Sequence, residues 1–442
     1  MFGTSGVRGP VGDVVTAELA LSIGRAVATD GASTVLVGRD ARDSGRFLAD
    51  AVAAGLAECG ADVVDLGRVA TPTLARSIGR LDADAGVVVT ASHNPPPDNG
   101  LKLWTPSGQA FDTDRRERIT EIVEADSYAV ADWDASGDRQ RDSTATAAHE
   151  AALVDAVDGD PVDGLEVVVD VGNGVGGVTA DALVELGADV TTLNAQPDGA
   201  FPGRPSEPTA ETLTDLCGQV ATSDADLGIA HDGDADRMLA VDETGTFVPK
   251  DVLLALFARR AVRDAGGGDV AVPVDTSRCV DDAVTDAGGE LVRTKVGDVF
   301  VAEAAAEPGA VFGGEPSGAW IWPDETLCPD GPLAACKLAA LVGGRGPFSE
   351  LVGSVDTYPL SRDNIEVDDK AAVVDRVAAD IRADFECVDT IDGVRVDTDD
   401  GWFLIRASGT QPLIRVTAEA GSEAAADRLR QLAVDRVTAA TE

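Results

Sequence analysis

The chain has 442 residues, of which 44% are hydrophobic, 78 are acidic and 35 are basic, and its formal net charge is −43. This length and hydrophobic content are sufficient for three or four domains with packed cores. The negative charge disfavours a nucleic-acid partner, because phosphate backbones are bound by basic surfaces.

The composition also indicates a cellular location. Only five residues are lysines, and the acidic residues are spread over segments with apolar periodicity. This pattern is typical of adaptation to a salty cytoplasm, where ions screen the repulsion between like charges. The six cysteines form no C-x-x-C pair, no apolar run approaches the ~18–20 residues of a membrane span, and the amino terminus does not resemble a signal peptide. We therefore expect a cytoplasmic chain with reduced cysteines, no membrane contact and no obligate protein partner.

Three segments repeat one order of elements, at residues 33–67, 165–194 and 269–298. Each has an apolar strand, a turn, a segment with helical spacing, and a second apolar strand. Strands that are apolar throughout are typical of a parallel sheet covered on both faces. Residues 402–420 instead predict two strands around a loop, followed by an amphipathic helix to the carboxyl terminus.

We predict an α/β fold with four domains around a central cleft. Three related α/β domains cover residues 1–145, 146–245 and 246–352, and a smaller α+β domain covers residues 353–442. Ligands of open α/β sheets bind at the carboxyl ends of the strands. Each motif described below follows an apolar run, so we expect the site to lie where the domains meet.

The first two candidate loops lie in the first domain. In "GTSGVRG", Arg8 stands among glycines, which indicates either an anion-facing loop or a disordered terminus. The loop "TASHNP" follows the strand at residues 86–89 and contains Ser92 and His93, and the rare Lys102 comes shortly after it. Ser92 could be a nucleophile or a group carrier, or part of a surface turn. The G-x-S-x-G elbow of hydrolases is missing.

The segment "GNGVGG" at residues 172–177 has the G-x-G-x-x-G spacing of a dinucleotide-binding turn. That fingerprint expects an acidic residue about 20 positions later, at the end of the next strand. Asn194 stands there instead. We therefore predict a tight strand–helix turn, with a nucleotide-linked dehydrogenase as the alternative.

The loop "HDGDADRM" at residues 231–238 presents alternating Asp232, Asp234 and Asp236. In an extended loop these side chains lie on one side, and three close carboxylates repel one another unless a cation neutralises them. Hard oxygen ligands suit Mg²⁺ or Ca²⁺. An EF-hand is disfavoured, because its sixth position is Arg237 rather than glycine and "MLAVD" continues as a strand.

Two further loops could bind a ligand, although each could also be an ordinary turn. In "GGEPSGAW", Glu315 and Ser317 could point inward and bind hydroxyl groups. In "RASGTQPLIR", glycine-rich backbone and hydroxyl groups between two arginines predict an anion nest, formed by Arg406, Ser408, Gly409, Thr410 and Arg415. It is not a Walker loop, because G-K-[ST] is missing.

Together and in this order, "TASHNP", "DGDADR", "GEPSG" and "RASGTQP" resemble the loops of the α-D-phosphohexomutase family. The resemblance extends from residue 3 to residue 415 and implies a four-domain enzyme whose first three domains are related. It implies that Ser92 carries a phosphoryl group, and that one Mg²⁺ per chain is held by a phosphoserine oxygen with Asp232, Asp234 and Asp236.

The resemblance also assigns the remaining site residues. Glu315 and Ser317 would bind sugar hydroxyls. The phosphate that does not react would be held by Arg406, Ser408, Gly409, Thr410 and Arg415. The transfer site would be lined by Arg8, His93, Lys102 and Arg237.

Two short motifs resemble the phosphoglucosamine mutase branch of the family. These are Asp98-Asn99-Gly100 followed by Lys102, and Val296-Gly297-Asp298. Ala319 departs from the pattern, because a histidine often follows the glycine of the sugar loop. The expected activity interconverts the 6-phosphate and 1-phosphate of a hexose, glucosamine first, with a sugar bisphosphate as intermediate and activator. Phosphoglucomutase/phosphomannomutase, phosphopentomutase and non-catalytic sugar-phosphate or cation binding stay as alternatives.

Overall fold

The structure is a computed structural model that describes residues 2–3, 6–157, 159–385, 387–408 and 413–441. Strands and helices alternate along the chain and form four separate sheets. Within the described ranges, no helix is both long enough and apolar enough to cross a membrane.

The first sheet has six strands. They are β1 (Val7–Pro10), β2 (Thr34–Arg39), β3 (Asp62–Arg68), β4 (Ala85–Val89), β5 (Asp98–Trp104) and β6 (Arg139–Arg141). The helices around it are α1 (Ala17–Thr29), α2 (Gly45–Glu58), α3 (Thr71–Arg80) and α4 (Thr113–Glu124). The strand order is β1-β5-β4-β2-β3-β6, and only β5 runs antiparallel to its neighbours.

The second sheet has the order β10-β9-β7-β8. Its elements are α5 (Ala145–Asp155), β7 (Glu166–Asp170), α6 (Val178–Glu185), β8 (Asp189–Leu193), α7 (Thr214–Ala221), β9 (Leu227–His231) and β10 (Met238–Asp242). Val167 and Val169 of β7 are in one core cluster and Val168 is in another. The apolar run therefore buries both faces of the strand, as predicted for a covered parallel sheet.

The third sheet has the order β12-β11-β13-β14. Its elements are α8 (Lys250–Ala265), β11 (Gly268–Pro273), α9 (Arg278–Asp286), β12 (Gly289–Thr294), α10 (Asp298–Ala305), β13 (Ala310–Glu315), β14 (Ala319–Ile321), α11 (Gly331–Gly343) and α12 (Phe348–Gly353). One continuous hydrophobic cluster extends from Leu153 and Ile229 to Phe312 and Leu338. The second and third sheets are therefore fixed against each other by a shared core.

The fourth sheet is antiparallel throughout, in the order β15-β19-β18-β17-β16. Its elements are β15 (Leu360–Glu366), α13 (Lys370–Asp384), β16 (Val388–Asp389), β17 (Val394–Thr398), β18 (Gly401–Ala407), β19 (Leu413–Ala420) and α14 (Glu423–Thr441). The two helices pack on this sheet around their own core, which includes Val377, Phe403 and Val437. The architecture is the predicted one of three α/β sheets followed by an α+β unit.

Candidate active site

Ser92 lies in the loop that follows β4 and is 1% exposed. Its backbone N–H donates to Thr90 Oγ1 at 2.8 Å, and its Oγ donates to Asp232 Oδ2 at 2.5 Å. Its φ of +51° is left-handed, a conformation that costs a non-glycine residue about 1–2 kcal/mol. The surrounding contacts hold this conformation, which directs the hydroxyl at the acidic loop of the second sheet.

Arg42, which was not among the residues predicted from the sequence, holds the Ser92 loop in place. Its guanidinium donates at 2.6–2.9 Å to the backbone carbonyls of Ser92, Asn94, Pro95 and Asp98. It is 1% exposed, and Asp40 pairs with its Nε at 3.0 Å. A signal was present in "GRDAR", where Asp40 and Arg42 directly follow a strand, but nothing in that segment shows that its target is a loop 50 residues away.

The three aspartates lie between β9 and β10, all are buried, and each offers a carboxylate oxygen within 4.8 Å of the others. The loop is a turn rather than the extended segment expected, because Ala235 has a φ of +58°. Thr71 anchors the turn by donating to Asp234 Oδ2 at 2.6 Å. Asp234 Oδ1 and Asp236 Oδ1 are buried and have no hydrogen-bond partner among the described residues. Unpartnered carboxylate oxygens are what a divalent cation needs, so these residues fit Mg²⁺.

Lys102 on β5 reaches the same carboxylates. Its Nζ donates to Asp234 Oδ2 at 2.8 Å and also to Asp236. Burial alone would lower the pKa of Lys102, but Asp234 and Asp236 raise it above its ordinary value. Burial and the neighbouring carboxylates together raise the pKa of Asp232.

The glycine-rich segment "GNGVGG" packs against this acidic turn. A Cβ on Gly174 would lie 2.7 Å from the carbonyl oxygen of Gly233, and one on Gly176 would lie 2.9 Å from the ring of His231. Side chains are therefore excluded here by the acidic loop itself. The segment is a turn between β7 and α6, as predicted, and its glycines are explained by packing rather than by a dinucleotide.

Arg8 and His93 complete the surroundings of Ser92. Arg8 on β1 pairs in register with Gly100 of β5, and its Nε is buried without a partner among the described residues. His93 Nδ1 lies 3.3 Å from Ser92 Oγ. Burial, followed by the charges of Arg237 and Arg8, lowers the pKa of His93 to about 2. The imidazole is therefore neutral near pH 7.

The predicted sugar loop joins β13 to β14 and is bonded to the strand after the acidic turn. Gly318 O accepts from Met238 N at 3.0 Å, and Arg237 pairs with Ala319. Ser317 Oγ donates to Glu315 Oε2 at 3.0 Å. Burial, followed by Asp298, raises the pKa of Glu315 to about 7. These contacts bring the sugar loop to the edge of the acidic turn.

Arg406 and Arg415 line a cavity of about 380 Å³ together with Asp275, which follows β11 of the third sheet. The two arginines are register partners on β18 and β19. Ser408 is 2% exposed, and its carbonyl accepts from Lys370, which was not among the site residues predicted from the sequence. Gly409 and Thr410 lie outside the described residues.

The predicted site residues therefore form two described groups. One surrounds the acidic turn and contains Arg8, Ser92, His93, Lys102, Asp232, Asp234, Asp236 and Arg237, with Glu315 and Ser317 beside it. The other is the arginine-lined cavity between the third and fourth sheets.

Four family models match the chain in order. They describe phosphoglucomutase/phosphomannomutase alpha/beta/alpha domain I at residues 1–129, domain II at residues 146–245, domain III at residues 249–358 and the C-terminal domain at residues 364–436. Together they account for most of the chain.

Known relatives agree with these matches. A "Probable phosphoglucosamine mutase" of Methanopyrus kandleri is 49% identical, over 100% of this chain and 98% of its own length. One of Methanothermobacter thermautotrophicus is 45% identical, over 96% and 94%. Both alignments span nearly the whole of each protein.

Solved structures show the same fold. A phosphoglucomutase/phosphomannomutase family protein of Burkholderia thailandensis has a TM-score of 0.89 at 30% identity, with 100% of this chain and 98% of that chain covered. The Aspergillus fumigatus N-acetylphosphoglucosamine mutase in complex with GlcNAc-6P and magnesium has a TM-score of 0.59 at 18% identity, with 100% and 96% covered. The predicted resemblance and fold class are thus confirmed, and the chain belongs to the phosphoglucomutase/phosphomannomutase family.

Proposed function

We propose that this chain interconverts the 6-phosphate and the 1-phosphate of glucosamine through a phosphoserine at Ser92. The observation that carries the proposal is the buried Ser92 hydroxyl hydrogen-bonded to Asp232 of a converging acidic group. The names of relatives at 49% and 45% identity support the choice of sugar. Ala319, which is 5% exposed, offers no polar group to the sugar at a position where a histidine is common in the family.

The proposed cycle has two balanced transfers. In the first, the bond between phosphorus and Ser92 Oγ breaks, and phosphorus bonds to the free 1-hydroxyl oxygen of glucosamine 6-phosphate, whose proton passes through a base to the departing Ser92 Oγ. The resulting 1,6-bisphosphate turns end for end. In the second transfer the bond between phosphorus and the sugar O6 breaks as Ser92 Oγ bonds to that phosphorus, the Oγ proton is passed to O6, and glucosamine 1-phosphate is released. The bisphosphate also serves as activator, because it can phosphorylate an unmodified Ser92.

The charge of a phosphoserine beside buried carboxylates requires a cation. Asp232, Asp234 and Asp236, with a phosphoserine oxygen, would hold one Mg²⁺. When bound, the ion would neutralise charge on the phosphoryl group in transit. Lys102 and Arg8 add fixed positive donors at the same place, and such preorganised groups contribute several kcal/mol to catalysis in other enzymes.

Two residues are candidates for handling the hydroxyl proton. Lys102 is the first, because it reaches the acidic turn from β5; its raised pKa keeps it protonated, so it would donate a proton to the departing oxygen. His93 is the second, because its Nδ1 lies 3.3 Å from Ser92 Oγ. A general acid or base must lie within hydrogen-bond reach of the proton that it moves.

The substrate would be held at both ends. Glu315 and Ser317 would bind the sugar hydroxyls, and Arg237, which pairs with the same loop, would line the transfer site. The phosphate that does not react would lie in the arginine-lined cavity, held by Arg406, Ser408, Gly409, Thr410 and Arg415. A hinge between the third and fourth units would let the bisphosphate turn without escaping.

We also propose the four domain bounds given above; the family match at residues 146–245 coincides with the second domain, whereas the third match runs to residue 358. A reducing cytoplasm with high salt is the proposed location. It is supported by the acidic composition and by six cysteines that are free of disulfides.

A coupled assay in high salt tests the function. It compares the 6-phosphates of glucosamine, glucose and mannose with pentose 5-phosphates. We expect the highest kcat/KM with glucosamine 6-phosphate. Preference for glucose or mannose phosphate would favour the phosphoglucomutase/phosphomannomutase alternative, to which the Burkholderia structure is similar. No turnover of any sugar phosphate would contradict the proposal.

A further inference from the structure

A cavity of about 400 Å³ lies at the carboxyl-terminal edge of the first sheet, apart from both groups of site residues. Four arginines line it: Arg39, Arg46, Arg68 and Arg141. We call it the arginine pocket, as distinct from the cavity lined by Arg406 and Arg415. In a chain with 78 acidic and 35 basic residues, so many arginines around one cavity need an explanation.

The sheet brings these arginines together. Arg39 and Arg68 are the last residues of β2 and β3 and are register partners. Arg141 ends the neighbouring strand β6, and its Nη2 would lie 3.6 Å from a Cβ on Gly67. Arg46 is the second residue of α2, whose first residue packs against the Arg39 side chain.

None of the four guanidinium groups forms a salt bridge among the described residues. Within the described ranges, none has a carboxylate within 4 Å, whereas Arg139, two residues before Arg141, pairs with both Asp50 and Asp65. Burial lowers the pKa of Arg39, and so do the positive charges of Arg46 and Arg68, against smaller opposing effects of Asp40 and Asp65. The cavity therefore has an excess of positive charge.

The start of α5 adds to this preference for anions. Ala145 and Thr146, the first residues of this 11-residue helix, line the cavity. The helix has no side-chain cap and no acidic residue in its first turn. Its N–H groups and its dipole therefore favour a negative ligand at this end.

One carboxylate, that of Asp142, also lines the cavity. It is already engaged, because Arg80 donates to its Oδ2 at 2.9 Å and Thr144 Oγ1 donates to its Oδ1 at 2.7 Å. Asp142 therefore does not offset the four arginines.

We propose that the arginine pocket binds a small anion that carries at least two phosphoryl groups. Guanidinium groups match phosphoryl oxygens in charge and geometry. The volume is within the range of small-molecule sites, and four positive charges exceed what a single phosphate would neutralise. This site is additional to the phosphate-binding cavity between the third and fourth sheets.

Calorimetric titration of the full chain with inorganic pyrophosphate, in a chelator and in a salt that keeps the protein folded, tests this proposal. Binding is measured rather than turnover, because the pocket is connected to the catalytic loop. Asp40, the residue after Arg39, accepts a hydrogen bond from Thr90 of the Ser92 loop, so a change in turnover would not report on the pocket alone. We expect one pyrophosphate per chain outside the catalytic cleft, and weaker binding of inorganic phosphate.

The variant Arg68→Gln/Arg141→Gln removes two exposed charges and should weaken this binding about tenfold or more. Arg139→Gln, on the same strand, should leave it unchanged. Unaltered binding in the double variant would overturn the proposal. Loss of binding in Arg415→Ala alone would also overturn it, because the anion would then lie in the catalytic cleft. Equal affinity for phosphate and pyrophosphate would overturn it as well.

Discussion

Ser92 Oγ donates a hydrogen bond of 2.5 Å to Asp232 Oδ2, and so joins the loop after β4 of the first sheet to the loop after β9 of the second. The two residues are 140 positions apart in the chain. A hydroxyl held against a buried carboxylate, beside two further aspartates, is the arrangement on which the proposed phosphoryl transfer depends.

The variant Ser92→Ala should reduce turnover about a thousandfold or more, because no other hydroxyl can replace the covalent carrier. Its thermal midpoint should stay close to that of the wild type, since only one oxygen is removed. Ser107→Ala, at an exposed turn, is the control. Near-normal turnover in Ser92→Ala would refute the carrier role.

The variant Asp234→Asn should weaken Mg²⁺ binding about tenfold or more, because it replaces a fully buried charged ligand with an amide of equal size. Calorimetric titration with Mg²⁺ measures the effect directly. Asp215→Asn, an exposed position on α7, should bind the ion like the wild type. An unchanged Mg²⁺ affinity in Asp234→Asn would remove the metal assignment.

The variant Arg415→Ala should raise KM for the sugar phosphate about tenfold or more, since a charge-assisted contact to phosphate is lost. Its unfolding free energy should change little. Arg428→Ala, an exposed position on α14 in the same sheet unit, is the matched control. If KM is unmoved, the proposed phosphate does not lie in this cavity.

Glu315 should make stability depend on pH. Its folded-state pKa of about 7 lies above the ordinary 4.5, so the folded chain binds this proton more tightly than the unfolded chain. The stabilisation that protonated Glu315 gives to the folded chain is therefore fully present below pH 4.5 and is lost as pH rises to about 7. Glu315→Gln should become progressively more stable relative to the wild type over that window, in denaturant titrations at fixed salt. A constant difference between the two proteins would contradict this account.

Salt should stabilise the fold, because the acidic side chains of a chain with a net charge of −43 repel one another. At about 1 M salt the Debye length is about 3 Å, whereas at 0.1 M it is about 10 Å. We expect the thermal midpoint to fall steadily as KCl is diluted. Full stability in dilute buffer would show that the acidity has another cause.

The loops of the site were predictable because each directly follows an apolar strand. In this fold class the carboxyl ends of strands meet at one edge, so sequence position alone placed Ser92, Asp232 and Glu315 near a common cleft. Each of these loops also has an unusual local composition.

Other features depend on contacts that no local pattern encodes. Arg42 binds Ser92, which lies 50 residues later in the chain, and Lys370 reaches Ser408 across the fourth unit. The acidic turn is closed by a left-handed Ala235, whereas alternation in the sequence predicted an extended segment. The arginine pocket arises only because the strand order places the ends of β2, β3 and β6 side by side.

Transfer of label from a sugar bisphosphate carrying radioactive phosphorus tests the central claim most directly. After a brief incubation with Mg²⁺ the chain is digested and its peptides are analysed by mass spectrometry. We expect the label on the peptide that contains Ser92, and its return to the sugar when unlabelled monophosphate is added. A chain that isomerises the substrate without ever holding the label on Ser92 would contradict the account.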